Sequence, residues 1–191
     1  MESIVERCAV ALGLALAATV LAAPAQAQQS PAQLSLGIAH YDQRWLDPNA
    51  GFLDSSDKDS KYDTVEFRAE YRWAPLWTYG GWARLRPFVG VEATADAAVC
   101  GLGGVALDLK RGPVVVTPSF GAGLYHDGNG KDLGSLLEFR SMIEVGYEFA
   151  SGYRVSAQFS HISNAGITET NPGSNIVGLY LHVPFSAFGG S

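Results

Sequence analysis

Apolar and polar residues alternate along most of the chain. In Lys61–Trp73, Val65, Phe67, Ala69, Tyr71 and Trp73 share one parity, and Glu66, Arg68, Glu70 and Arg72 share the other. A two-residue period is that of a strand whose faces meet different surroundings. The pattern recurs in Trp82–Ala93, Val99–Lys110, Val114–Tyr125, Leu136–Phe149, Tyr153–Ser163 and Asn175–Phe185, and Leu34–Tyr41 adds a first strand. Turn-forming residues separate these runs, and no stretch carries a helical period. Eight strands are expected.

Two architectures use such alternation. In a soluble sandwich or lipocalin the apolar face is the core. In an outer-membrane barrel the apolar face meets lipid and the polar face lines the interior. The polar face decides between them. It carries Glu66, Glu70, Glu92, Asp108, Glu138, Glu144 and Glu148 against Arg68, Arg72, Arg84, Arg86, Lys110, Arg140 and Arg154. Arginine suits packed ion-pair networks better than lysine does, and a balanced, lysine-poor face suits the filled interior of a small barrel. Trp73, Trp77, Tyr79, Trp82, Tyr125, Tyr147 and Tyr153 near strand ends suit an interfacial girdle. The expected fold is all-β: an eight-stranded antiparallel transmembrane β-barrel of the outer membrane. Trp73–Trp82, Arg111-Gly112 and Ala150-Ser151-Gly152 read as short periplasmic turns. The Asp42–Ser60 connection, Asp127–Lys131 and Asn164–Ser174 then lie at the opposite rim.

Composition adds the compartment. Cys8–Ala23 is an apolar run of small and aliphatic residues ending in Pro24-Ala25-Gln26-Ala27, a small-x-small cleavage pattern. Residues 1–27 are therefore expected to be an export signal, and 28–191 a single barrel domain. Cleavage leaves Cys100 as the one cysteine, so no internal disulfide is expected. The net charge of −6, with mixed signs, argues against a nucleic-acid surface.

Candidate chemistry gathers near the C-terminus. His161 and Ser163 have the parity of Val155, Ala157 and Phe159, and Asn175 has that of Val177 and Leu179. All three are thus expected on the lipid-facing wall, where polar side chains are costly unless they have a function. A serine hydroxyl is a weak nucleophile until an imidazole takes its proton, and the imidazole needs a third group to fix its tautomer. Ser163 as nucleophile, His161 as base and Asn175 as orienting group form one such set. Asn164 and the amides of Ala165 and Gly166 are candidate oxyanion-hole donors. The implied reaction is hydrolysis of an ester in a lipid lying against the wall. His40, His126 and His182 show no metal-ligand spacing and read as interior or rim residues. Asp127-Gly128-Asn129-Gly130 reads as a turn, and Gly101-x-Gly103-Gly104 as a barrel-packing feature.

These residues carry a resemblance. Thr117-Pro118-Ser119-Phe120-Gly121-Ala122-Gly123-Leu124-Tyr125, Leu136-Leu137-Glu138-Phe139-Arg140-Ser141 and, above all, His161-Ile162-Ser163-Asn164-Ala165-Gly166 followed by Asn171-Pro172-Gly173 resemble the PagL-type lipid A 3-O-deacylases. The resemblance implies an eight-stranded outer-membrane barrel whose active site faces the outer leaflet. It implies removal of the ester-linked 3-O-acyl chain of lipid A, with lipopolysaccharide as substrate and no cofactor or metal. It implies Ser163 as nucleophile, His161 as base and the Asn164/Ala165/Gly166 group as oxyanion hole. The sequence departs from the family pattern at the triad acid, a Glu after the Asn-x-Gly turn, where Asn175 stands. Three outcomes follow: a weaker enzyme, an enzyme that draws on Glu169 from the preceding loop, or a structural or binding barrel without activity. A homodimer is an open assembly state.

Overall fold

The computed structural model describes residues 31–42 and 62–188. The expected signal over 1–27 and most of the Asp42–Ser60 connection lie outside the described residues. Nine antiparallel strands follow one another: β1 Gln33–Tyr41, β2 Thr64–Arg72, β3 Trp77–Tyr79, β4 Ala83–Thr94, β5 Val99–Arg111, β6 Val114–His126, β7 Leu137–Glu148, β8 Arg154–Ser163 and β9 Ser174–Pro184. A 3₁₀ turn, Phe185–Phe188, follows. Eight long strands close the barrel, because β1 pairs with β9 and β2 with β4.

Following hydrogen-bonded partners once round the wall gives the stagger. Pro184 leads through Gln33, Arg72, Phe88, Gly104, Gly121, Arg140 and Ile162 to Ser174, ten residues further up β9. A closed eight-stranded sheet with that stagger has strands tilted by about 40° and an interior just wide enough for side chains.

The alternation sorts as expected. Arg154, Ser156, Gln158 and Ser160 of β8 are buried inside, while Val155 and Ala157 face out. Val65, Phe67, Val89, Val91, Phe120, Ile143, Val145, Leu179 and Leu181 make an exposed apolar wall. The interior holds an ion-pair network. Arg72 Nη2 donates to Glu70 Oε2 and Glu144 Oε1, both at 2.7 Å. Arg140 bridges Glu70 (2.7 Å) and Glu92. Arg68 pairs with Glu66 and, at 3.2 Å, Glu92. Arg86 and Arg154 converge on Asp108 at 2.9 and 2.8 Å. His182 lies fully inside, with Nδ1 at 2.7 Å from Ser35 Oγ and Nε2 at 3.0 Å from Glu144 Oε2. His40 and His126 sit at the rim beside Asp63 and Asp127.

Three features differ from the sequence reading. The Trp73–Trp82 connection is more than a turn. The chain breaks at 73–76, where Trp73 N donates to Pro87 O and Leu76 N to Leu85 O, and then resumes as β3 on the same edge of β4. Pro75 and Pro87 explain the break, since neither can donate to a ladder. Tyr125 does not belong to the girdle. It is buried, and its hydroxyl donates to Lys131 O at 2.6 Å. The interior is also not polar throughout: towards the long-loop end Tyr41, Cys100, Tyr125, Leu133, Ile162 and Ile176 form an apolar layer.

Candidate active site

β8 ends at Ser163, at the rim that carries the longer connections 42–63, 127–136 and 164–173. Its last residues, Phe159, His161 and Ser163, are partly exposed, whereas Ser160 and Ile162 between them are buried. His161 and Ser163 therefore project from the outer wall. Asn175 stands opposite His161 in the β8–β9 ladder and also faces out.

The structure joins His161 to Asn175. The imidazole Nδ1–H donates to Asn175 Oδ1 at 2.8 Å. That bond sets the tautomer: Nδ1 holds the proton, and Nε2 keeps a lone pair with which to act as base. Ser163 shares the face and the strand, but among the described residues its hydroxyl makes no hydrogen bond to His161. Catalytic contacts of this kind often tighten only when substrate is bound.

The candidate oxyanion donors separate. Asn164 has the inward parity and is fully buried. Its Nδ2 group faces Leu133 O at 3.0 Å and Thr168 Oγ1 and Thr170 O at 2.8 Å. Its Oδ1 accepts from Gly166 N at 2.9 Å, and its own amide donates to Asn171 Oδ1 at 3.1 Å. Asn164 is thus the fastener of the 164–173 loop, and it ties that loop to Leu133 in the 127–136 loop. Thr168 adds a second tie, from Oγ1 to Gly134 O at 3.0 Å. Of the three candidates only the Ala165 amide has no partner among the described residues. Ala165 itself is held at φ 54°, a conformation that non-glycine residues rarely adopt. Glu169 is exposed on the loop, with no hydrogen bond or ion pair among the described residues.

One further residue of the patch is not among the site residues expected from the sequence, although it lies in a segment that carries the resemblance. Ser141 pairs with His161 across the β7–β8 ladder, on the flank opposite Asn175. It faces out between Phe139 and Ile143. Its parity was sufficient to find it: a hydroxyl in an apolar column is the same signal that picked out His161.

Comparison with known proteins bears on this patch. A family model described as lipid A 3-O-deacylase (PagL) matches residues 61–184. Lipid A deacylase PagL of Bordetella bronchiseptica is 43% identical over 49 residues, 26% of this chain and 28% of the relative. Lipid A deacylase PagL of Pseudomonas aeruginosa is 37% identical over 54 residues, 28% of this chain and 31% of the relative. The chain thus matches about three tenths of the length of each curated relative. The crystal structure of the outer membrane enzyme PagL superposes with a TM-score of 0.57 at 16% identity, covering 80% of this chain and 99% of that one. At that identity the likeness speaks to the fold: the same closed outer-membrane barrel.

Proposed function

Since the chain belongs to the PagL lipid A 3-O-deacylase family, and is accordingly a bacterial outer-membrane protein, we propose that it hydrolyses the 3-O-acyl ester of lipid A in the outer leaflet by a serine–histidine mechanism. The observation that carries this reading is the His161–Asn175 bond on the outer wall, with Ser163 on the same face. A base with a fixed tautomer beside a hydroxyl, set among Phe139, Ile143, Phe159 and Val177, serves a substrate that is itself in the membrane.

In the proposed reaction the Ser163 hydroxyl oxygen attacks the ester carbonyl carbon while its proton passes to His161 Nε2. The Ala165 amide is the donor available to the resulting oxyanion, and Asn164 acts by holding the loop that carries it. Collapse of the intermediate breaks the bond to the sugar oxygen, which takes the proton from His161. Water then attacks the acyl carbonyl carbon, with His161 Nε2 again accepting a proton; the bond to Ser163 Oγ breaks, Oγ takes that proton from His161, and the fatty acid leaves. Asn175 keeps the ring oriented throughout. No step calls for a metal or cofactor.

Incubation of the purified barrel with lipopolysaccharide in detergent, followed by mass measurement of the lipid A, tests the proposal. Loss of one hydroxyacyl chain is expected, and Ser163→Ala should abolish it while leaving the barrel folded. An unchanged mass with wild-type protein would favour a second reading, a structural or binding barrel. That reading draws on the neutral Asn175 and on the open Ser163–His161 contact.

A further inference from the structure

We propose that Gly173 is a positioning residue for His161, its missing side chain forming the recess in which the imidazole lies. The inference rests on the serine–histidine reading of the patch and adds to it the feature that aims the base.

The geometry is specific. A Cβ placed on Gly173 would fall 2.8 Å from His161 Cε1 and 3.1 Å from Nε2. Both distances are shorter than ordinary van der Waals contact, which begins near 3.4 Å. The same Cβ would also stand 3.3 Å from Ile162 O. The ring therefore lies directly over the backbone at residue 173. The last ladder pair between these strands is Ile162 with Ser174, and one further step in the same register sets Ser163 opposite Gly173. A ring held at Nδ1 by Asn175 and lying over Gly173 thus extends along the strand direction, from the level of residue 161 towards that of residue 163. That is the direction in which Nε2 must reach to take the proton of Ser163. Any larger residue at 173 would push the Cε1–Nε2 edge away from the wall and from the hydroxyl.

Gly173 also has φ +56°, so backbone conformation alone would favour glycine there. Gly166 separates the two requirements. It has φ +77° with nothing within 4 Å of an added Cβ, so its demand is conformational only. At Gly173 the demand is for space as well, and the space is filled by the base.

The experiment compares three variants with wild type: Gly173→Ala, Gly173→Asn and Gly112→Ala. Asparagine tolerates positive φ but carries a Cβ. Gly112, in the β5–β6 turn far from the patch, has φ +60° and open space, so it reports backbone strain alone. Both Gly173 variants should lose about 100-fold in kcat with little change in KM, the scale expected when a catalytic group is displaced by about 1 Å. Gly112→Ala should keep wild-type kcat. In protein carrying 13C-histidine, the His161 Cε1–H resonance should move in both Gly173 variants and stay in place in Gly112→Ala. Retention of kcat together with an unmoved resonance in Gly173→Asn would overturn the proposal. If wild type itself shows no deacylation, the function reading fails, and the resonance still decides whether Gly173 positions the ring. Should the Gly173 variants fold poorly, the same substitution in a His161→Ala background decides. Its destabilisation should shrink once the ring is gone; an equal destabilisation would mean that the ring is not what fills the recess.

Discussion

Asn175 occupies the position at which a carboxylate would do most for His161. Its Oδ1 accepts the Nδ1 proton at 2.8 Å, which orients the ring but would offer no charge to the imidazolium that the proposed deprotonation of Ser163 forms. Replacing a triad carboxylate by its amide can cost orders of magnitude in kcat. Asn175→Glu is therefore expected to raise kcat by about tenfold or more. It should also destabilise the barrel slightly, because a carboxylate on the outer wall is costly when His161 is neutral. Paired measurements of deacylation rate and unfolding midpoint check both signs. No gain in kcat would mean that orientation alone limits the step. Much of the site could be read from parity: His161, Ser163 and Asn175 needed only the rule that alternate residues share a face. The same rule, carried one residue past the strand, would have turned the Asn164 side chain inward, away from the face that carries Ser163. Gly173 could not be read this way. Its role depends on a ring contact across two strands, and in the sequence Asn171-Pro172-Gly173 is a good reverse turn.

At the scale of the strand, the two faces make opposite predictions for charge. Arg140 on β7 is buried and bridges Glu70 and Glu92. Arg140→Ala leaves two carboxylates in the interior short of a partner, and breaking a buried pair in this way costs about 3–5 kcal/mol. Five residues along the same strand, Val145 faces out. Val145→Arg places a charge on the apolar wall and should cost about 2–4 kcal/mol if that position lies near the bilayer midplane. Chemical unfolding from lipid vesicles measures both. A harmless Val145→Arg would count against a lipid-facing wall, whatever the fold. The strands themselves were legible because each has two faces in different surroundings. What escaped was decided by contacts distant in sequence. The apolar layer towards the loop end has Leu133 from a loop beside Cys100, Ile162 and Ile176 from three strands. Tyr125 has the inward parity, but a tyrosine at a strand end also suits a girdle, and its bond to Lys131 O is what settles it. β3 continues β2 only across a break that two prolines impose.

For the whole molecule, the filled interior and the position of the aromatics together fix how substrate meets the site. Arg72, Arg86, Arg140, Arg154 and Tyr180 are fully buried in the lumen, so under the proposed function a lipid would reach Ser163 along the outer wall. The three described tryptophans, Trp73, Trp77 and Trp82, lie at the short-turn rim, with Trp77 and Tyr79 stacked at 6.0 Å and Tyr79 edge-on to Trp82 at 5.8 Å. Indole rings favour the membrane–water interface, so this rim should sit at the inner interface. β8 then sets the height of the candidate active site. Its ten residues span roughly 33 Å along the strand, or about 25 Å along the barrel axis at a tilt of about 40°. That is about the height of the apolar band of such barrels, so Ser163 reaches the outer interface, where an ester beside a sugar headgroup would lie. Quenching of tryptophan fluorescence by brominated lipids tests this placement. A Trp45→Phe variant leaves Trp73, Trp77 and Trp82 as the reporters. Bromine near the headgroup should quench them more than bromine at the chain ends. The reverse order would put the aromatic rim at mid-bilayer, lift Ser163 well clear of the lipid ester, and remove the geometric basis for deacylation at the outer wall.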